Sequence, residues 1–230
     1  MKRLKTLILL DFTMIIRNRI LAVAAVITIL YVAIIQVLPG ESFTMVLTML
    51  IFSDPVMLGF MFTGAMVLFE KNSNTLQALS VTPVRPGEYL LSKGIALTSV
   101  ALAASLIMAV AGLGFSFGLL YLGLAVVFSS LLFVYIGFIG VSRVKTFNQY
   151  FIVIPLFMLP TCLPLLNYFG ATDTIAWYIV PTQASLILFT AAFEGTSGIS
   201  SGDMVYALLY LPAATIASYR LAVGAYYKIL

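Results

Sequence analysis

Charges stand almost only between the apolar runs of this chain, and the run lengths predict its elements. Residues 20–38 lie between Arg19 and Glu41, and residues 45–69 run up to Glu70. Residues 94–142 carry no charge in 49 positions. As one helix they would be about 74 Å long against a hydrocarbon core of about 30 Å, so the segment must fold back once. Gly112, Gly114 and Gly118, in GLGFSFG, mark the turn. Residues 150–169 supply a fifth span and residues 204–219 a sixth, extendable to 227 if Arg220 snorkels to the interface. These lengths predict an all-α membrane protein of six transmembrane helices, a single domain over residues 1–230.

Two segments at the margins of this pattern carry their own expectations. Residues 4–16, LKTLILLDFTMII, are interrupted only by Lys5 and Asp11 and read as an interfacial helix within an N-terminal arm of residues 1–19. Basic residues stand at both ends of that run and no small-residue cleavage site follows, which argues against a cleavable signal. Residues 174–193 are uncharged and long enough to cross, which would give seven spans. Pro181, Thr182 and Gln183 interrupt them midway, so a re-entrant pair of short helices within an external region 170–203 is the preferred reading, with Trp177 and Tyr178 as interfacial anchors.

Charge then orients the pattern. Six spans with an inner N-terminus place Lys2, Arg3, Lys5, Arg17, Arg19, Lys71, Arg85, Lys93, Arg143, Lys145, Arg220 and Lys228 on one face, with Asp11, Glu70 and Glu88. Glu41, Asp173, Glu194 and Asp203 fall on the other, and Asp54 lies toward it. Cationic loops resist translocation, so the basic face is cytoplasmic, as are both termini. A seventh crossing would reverse this rule for the C-terminal part. At 62% hydrophobic and 9% charged residues, with mean hydropathy +1.13, the chain is far from a soluble domain, whose charged share is about 25%. The basic pI near 9.2 reflects residues bordering spans, where orientation and anionic lipid account for them without nucleic acid.

Absences narrow the function. Without histidine there is no His-ligated zinc and no imidazole proton shuttle. Without GxxxxGK[ST] the chain has no phosphate cradle of its own, and no span carries two carboxylates. Neither a cofactor nor a metal site is implied, and the chain is not expected to be an enzyme. Cys162 stands alone between Pro160 and Pro164, most simply as an apolar filler.

The largest polar feature on the basic face is the loop of residues 70–93, EKNSNTLQALSVTPVRPGEYLLSK. Asn74 with Gln77 resembles a capping box, after which Leu76 and Leu79 share one face of a helix of roughly two turns. Thr82-Pro83 stops that helix, because proline disfavours helical geometry in the residue before it. Pro86 can open the next helix at its first turn, where Glu88 faces the positive end of the dipole. Two leucines on such a helix either pack on the chain's own spans, dip among headgroups, or dock into a groove of a cytosolic partner.

FEKNSNTLQALSVTPVRPGEYLLSK, with the preceding DPVMLGFMFTGAMVLFE, resembles the permease subunit of type-2 ABC exporters, most closely the fluoroquinolone-export permeases of bacteria and archaea. The resemblance is strongest from Asp54 to Lys93, and the six-span plan extends it over the chain. It implies a multi-pass protein of a prokaryotic cell membrane, a separate cytosolic ATPase subunit that engages the loop, and a second permease copy or related permease. The matching positions are Glu70, the helix around Thr75–Leu79, Thr82, Pro83, Glu88 and Lys93. The implied docking set is thus Glu70, Lys71, Thr75, Leu76, Leu79, Thr82, Pro83, Arg85, Glu88 and Lys93, with Leu76 and Leu79 as anchors and Lys71 and Arg85 as rim charges.

Asp54-Pro55 and the prolines Pro155, Pro160 and Pro164 form a second group. On a continuous helix from residue 45, Asp54 would sit roughly 14 Å deep, where a charge costs about 2.5–3.5 kcal/mol. Ser53-Asp54-Pro55 also reads as a helix start, which would break the second span and make Asp54 a cap; that reading is preferred over a substrate or proton role. The three later prolines each remove a backbone donor and should kink the fifth span, as tolerated kinks or as a hinge lining a pathway. Gly137, Gly140 and Ala101–Ala104 point to close helix packing.

Three functions follow from the sequence: the membrane half of an ATP-driven exporter of a drug-like or amphipathic compound, a proton-coupled transporter using Asp54, or a non-transporting membrane scaffold or immunity protein. The first is preferred.

Overall fold

The computed structural model describes residues 2–37, 43–53, 57–80, 82–172 and 174–227, and its described residues are helical with short connections. Helix α1 spans Lys2–Arg17 and α2 Ile20–Ile35. The pair α3 (Phe43–Ile51) and α4 (Leu58–Asn72) is followed by the short α5 (Thr75–Ser80). Next come α6 (Pro86–Leu113), α7 (Leu119–Ser142), α8 (Phe147–Cys162) and α9 (Pro164–Tyr168). A 3-10 turn over Ile175–Ile179 leads to α10 (Pro181–Phe193), and α11 covers Ser201–Tyr226. Among the described residues, five helices are long and apolar enough to cross a membrane: α2, α6, α7, α8 taken with α9, and α11.

The uncharged stretch folds back as its length requires. Gly114 ends α6 with φ 62°, the left-handed geometry that glycine adopts without a side-chain penalty, and α7 begins five residues later. Helix α7 is the axis of the bundle, packed by α4, α6, α10 and α11. Close approach is possible because Gly137 lies on the backbone of α4. A Cβ there would stand 2.7 Å from the Phe60 carbonyl oxygen, so the expected packing role of Gly137 holds. Gly64 opens the corresponding slot for the Tyr150 ring of α8, which stacks on Phe60 at 5.7 Å and donates to the Phe60 carbonyl at 2.7 Å.

The expected second span is not one long helix among the described residues. Helices α3 and α4 lie on either side of residues 54–56, which fall outside the described residues, and with them Asp54 and Pro55. The fifth span also differs from expectation. Pro155 and Pro160 lie inside α8, but Pro164 opens a new helix after Leu163 instead of kinking a continuous one, in keeping with proline's tolerance at a first turn.

The segment between α9 and α11 dips into the bundle and returns to the end it left. Near its start the Tyr178 hydroxyl donates to Asp203 at the head of α11, and deeper in, the Tyr210 hydroxyl reaches the Ile179 carbonyl. At the mid-depth of α7, Ser129 donates to Ser185 at 2.7 Å; about three turns back, at the start of α7, the Gly118 amide donates to the Ala192 carbonyl. Helix α10 has 13 residues, about 20 Å, which is too short to cross. Its residues from Thr182 to Phe193 are nearly all buried, so an interrupted apolar segment is satisfied by protein, not lipid.

Candidate functional site: the α4–α6 loop and the charges beneath it

Helix α4 delivers Glu70 and Lys71 to the end of the bundle, and the chain then turns at Asn74 with φ 55°, a left-handed geometry asparagine tolerates. Helix α5 follows, and the Thr82 amide and hydroxyl both donate to the Leu79 carbonyl, closing it just before Pro83. Pro86 opens α6, and the Glu88 carboxylate accepts from the Arg85 amide at 3.1 Å, as its place in the first turn predicts. The short helix that stops before Pro83, and the next helix opened by Pro86, are therefore present as expected from the sequence.

The apolar face of α5 points inward. Leu76 is 4% exposed within the bundle core and Leu79 is half-buried against it, so the chain's own spans cover the expected anchors in this structure. What the loop presents outward is polar, with Ser73, Gln77, Thr82, Pro83 and Arg85 exposed and Thr75 partly so. The loop is tied to the N-terminal helix as well, since Arg3 Nη1 donates to the Pro83 carbonyl at 3.0 Å.

Beneath the loop, two of the expected docking residues meet in the interior. Lys93 Nζ lies 2.6 Å from Glu70 Oε1 and 2.9 Å from Asp11 Oδ1, with the lysine and glutamate wholly buried and the aspartate 3% exposed. Glu70 Oε2 accepts from the Tyr89 hydroxyl, and Asp11 Oδ2 accepts from Ser92 Oγ, both at 2.5 Å. The ammonium also sits 4.6 Å from the centre of the Tyr89 ring. Glu70 and Lys93 thus form, with Asp11, an internal clamp that joins α1, α4 and α6. Removing three charged groups from water is costly, and it is sustained here because each carboxylate has both an ammonium and a hydroxyl donor.

Lys71 is half-buried at the same end of the bundle. Its ammonium donates to the Val144 carbonyl at 2.9 Å and the Val141 carbonyl at 3.3 Å, at the C-terminal end of α7. A cation is favoured at that end of the helix dipole, while burial pushes its pKa below the ordinary lysine value.

The sequence reading missed Asp11, Tyr89 and Ser92. Two signals were available. Tyr89, Ser92 and Lys93 share one helical face by their spacing, and Asp11 is the sole acid in the first forty residues, set among apolar neighbours. Their side chains tie α1, α4 and α6 together at one point.

The family model of fluoroquinolones export permease proteins matches residues 2–229. The chain belongs to that family. Two fluoroquinolones export permease proteins of Mycobacterium tuberculosis, one from each of two strains, are 29% identical to it over 212 residues, which is 91% of this chain and 89% of each relative. The match to this export permease thus spans both the loop and all three helices of the clamp. With its long apolar helices, membership makes it a multi-pass membrane protein and a transporter component.

Proposed function

We propose that this permease is the membrane subunit of an ABC exporter, moving a drug-like or amphipathic compound outward while a separate cytosolic ATPase subunit hydrolyses ATP. Two copies, or one copy with a related permease, form the pathway, and both termini are cytoplasmic. The observation that carries the reading is the way the loop is seated. Its outer surface is polar and exposed, while Leu76 and the Glu70–Lys93 pair fix it to α4 and α6. A partner pressing on Gln77, Thr82 and Arg85 would move two membrane helices and α1 together, as a rigid lever requires. The mycobacterial relatives are named for fluoroquinolone export, and a flat amphipathic compound suits a bundle whose interior is apolar.

The test is purification of the chain from its native membrane with whatever ATPase accompanies it. Gln77→Arg with Arg85→Glu should lower the stimulation of ATP hydrolysis by the permease about ten-fold, the effect of about 1.4 kcal/mol at the contact, while the melting temperature of the permease stays put. Export that proceeds in vesicles lacking any ATPase would refute the proposal.

A further inference from the structure

The burial of Asp11 has an effect on the opposite side of α1. It is the only acid of that helix, and it is turned inward to Lys93 and Ser92 together with Leu7, Met14 and Ile15. At about 100° per residue, Lys5, Leu9 and Ile16 fall within roughly 40° of one another on the far face. Leu9 is 67% and Ile16 62% exposed, with Lys5 exposed beside them; Arg17, on the flank of α1 at its last turn, and Arg19, just past its end, are exposed too. The outward surface of α1 is therefore cationic and apolar, with no carboxylate to offset it.

Its height follows from α6. That helix has 28 residues, about 42 Å, and so overhangs a core of about 30 Å. Helix α1 is bonded to Ser92 and Lys93, in the first turns of α6, which places it at the level where hydrocarbon gives way to headgroups. We propose that this face of α1 is a binding surface for anionic phospholipid: Leu9 and Ile16 sit among the upper acyl chains, and Lys5, Arg17 and Arg19 pair with lipid phosphates. Charge complementarity selects anionic over zwitterionic lipid, and the two exposed apolar side chains fix the depth. The inference rests on membrane placement alone and stands whether or not the loop meets an ATPase.

Full-length chain carrying Cys162→Ala and Leu9→Cys, labelled with an environment-sensitive fluorophore, is reconstituted into vesicles of equal phosphatidylcholine and phosphatidylglycerol in which one or the other lipid carries brominated chains. A label at Leu156→Cys, 70% exposed on α8, serves as the reference in the same vesicles. Brominated phosphatidylglycerol should quench residue 9 about two- to five-fold more than brominated phosphatidylcholine, relative to the ratio at residue 156. The preference should vanish in Lys5→Gln with Arg17→Gln and Arg19→Gln. Equal quenching by both lipids at residue 9 overturns the proposal, as does a preference that survives loss of the three basic side chains. Absence of quenching by either lipid, which would put the face against water or protein, overturns it equally.

Discussion

At the scale of single residues, Lys93 is the group on which most depends. It neutralises charge from two other elements, and nothing else among the described residues lies within ion-pair distance of Asp11 or Glu70. Lys93→Met should leave two carboxylates buried without a cation and destabilise the protein by about 3–5 kcal/mol. Adding Asp11→Asn and Glu70→Gln to that variant should restore much of the loss, because buried polar groups without net charge cost far less. Thermal unfolding of the three proteins in one detergent decides the matter, and a Lys93→Met variant as stable as the parent would remove the clamp from the account. Gly64 offers a second reading at this scale. Its missing side chain is the space that Tyr150 fills, and a Cβ would fall 2.0 Å from that ring. Gly64→Ala should expel the ring, break its bond to the Phe60 carbonyl and cost about 1–3 kcal/mol. Tyr150→Ala in the same background should make the alanine tolerable; if it does not, steric exclusion is not the cause.

At the scale of elements, the sequence was most informative where length or backbone chemistry dictated the answer. The 49 uncharged residues had to make a hairpin, and glycine-rich GLGFSFG was where it turned. Pro83 ended α5 and Pro86 opened α6 because proline acts on its own backbone and its neighbour's, whatever the surroundings. The orientation of α5 was not legible in this way. Leu76 and Leu79 define an apolar face, but a face does not say whether the apolar surface meeting it belongs to the same chain or another. The pairing of Asp11 with Lys93 joins residues 82 apart in sequence and was equally hidden. Polar residues within α10 looked like an interruption, whereas Ser185 and Thr182 bond to α7 and α8 and make that helix part of the interior. If the serine pair contributes to holding α10, Ser129→Ala with Ser185→Ala should cost no more than either single change, about 0.6 kcal/mol each by precedent in membrane bundles. A double variant whose loss is the sum of the singles would mean the two hydroxyls act separately.

For the whole molecule, the sidedness of the ends is the property on which coupling, export direction and lipid contact all rely. The bundle itself relates three positions. Gly118 meets Ala192 at one end, Asp203 lies at that same end, and α11 then runs 26 residues, about 39 Å, to Tyr226 at the other. The α5 loop and α1 share the end occupied by Tyr226, since Tyr226 packs its ring 5.3 Å from Tyr89. A membrane-impermeant thiol reagent applied to intact cells should therefore sort introduced cysteines into two sets. With Cys162→Ala as background, Gly198→Cys, where a side chain has open space, should react from outside; Arg85→Cys and Tyr227→Cys should react only after the membrane is opened. The distribution of basic residues sets the sign of that result, because Arg85, Lys93, Arg17 and Arg19 stand at the end predicted to stay inside. Labelling of Tyr227→Cys in intact cells with Arg85→Cys still protected would mean seven crossings, and α10 would then have to span the bilayer with 13 residues. Labelling of Arg85→Cys itself would turn the molecule over and remove the loop from the reach of any cytosolic ATPase.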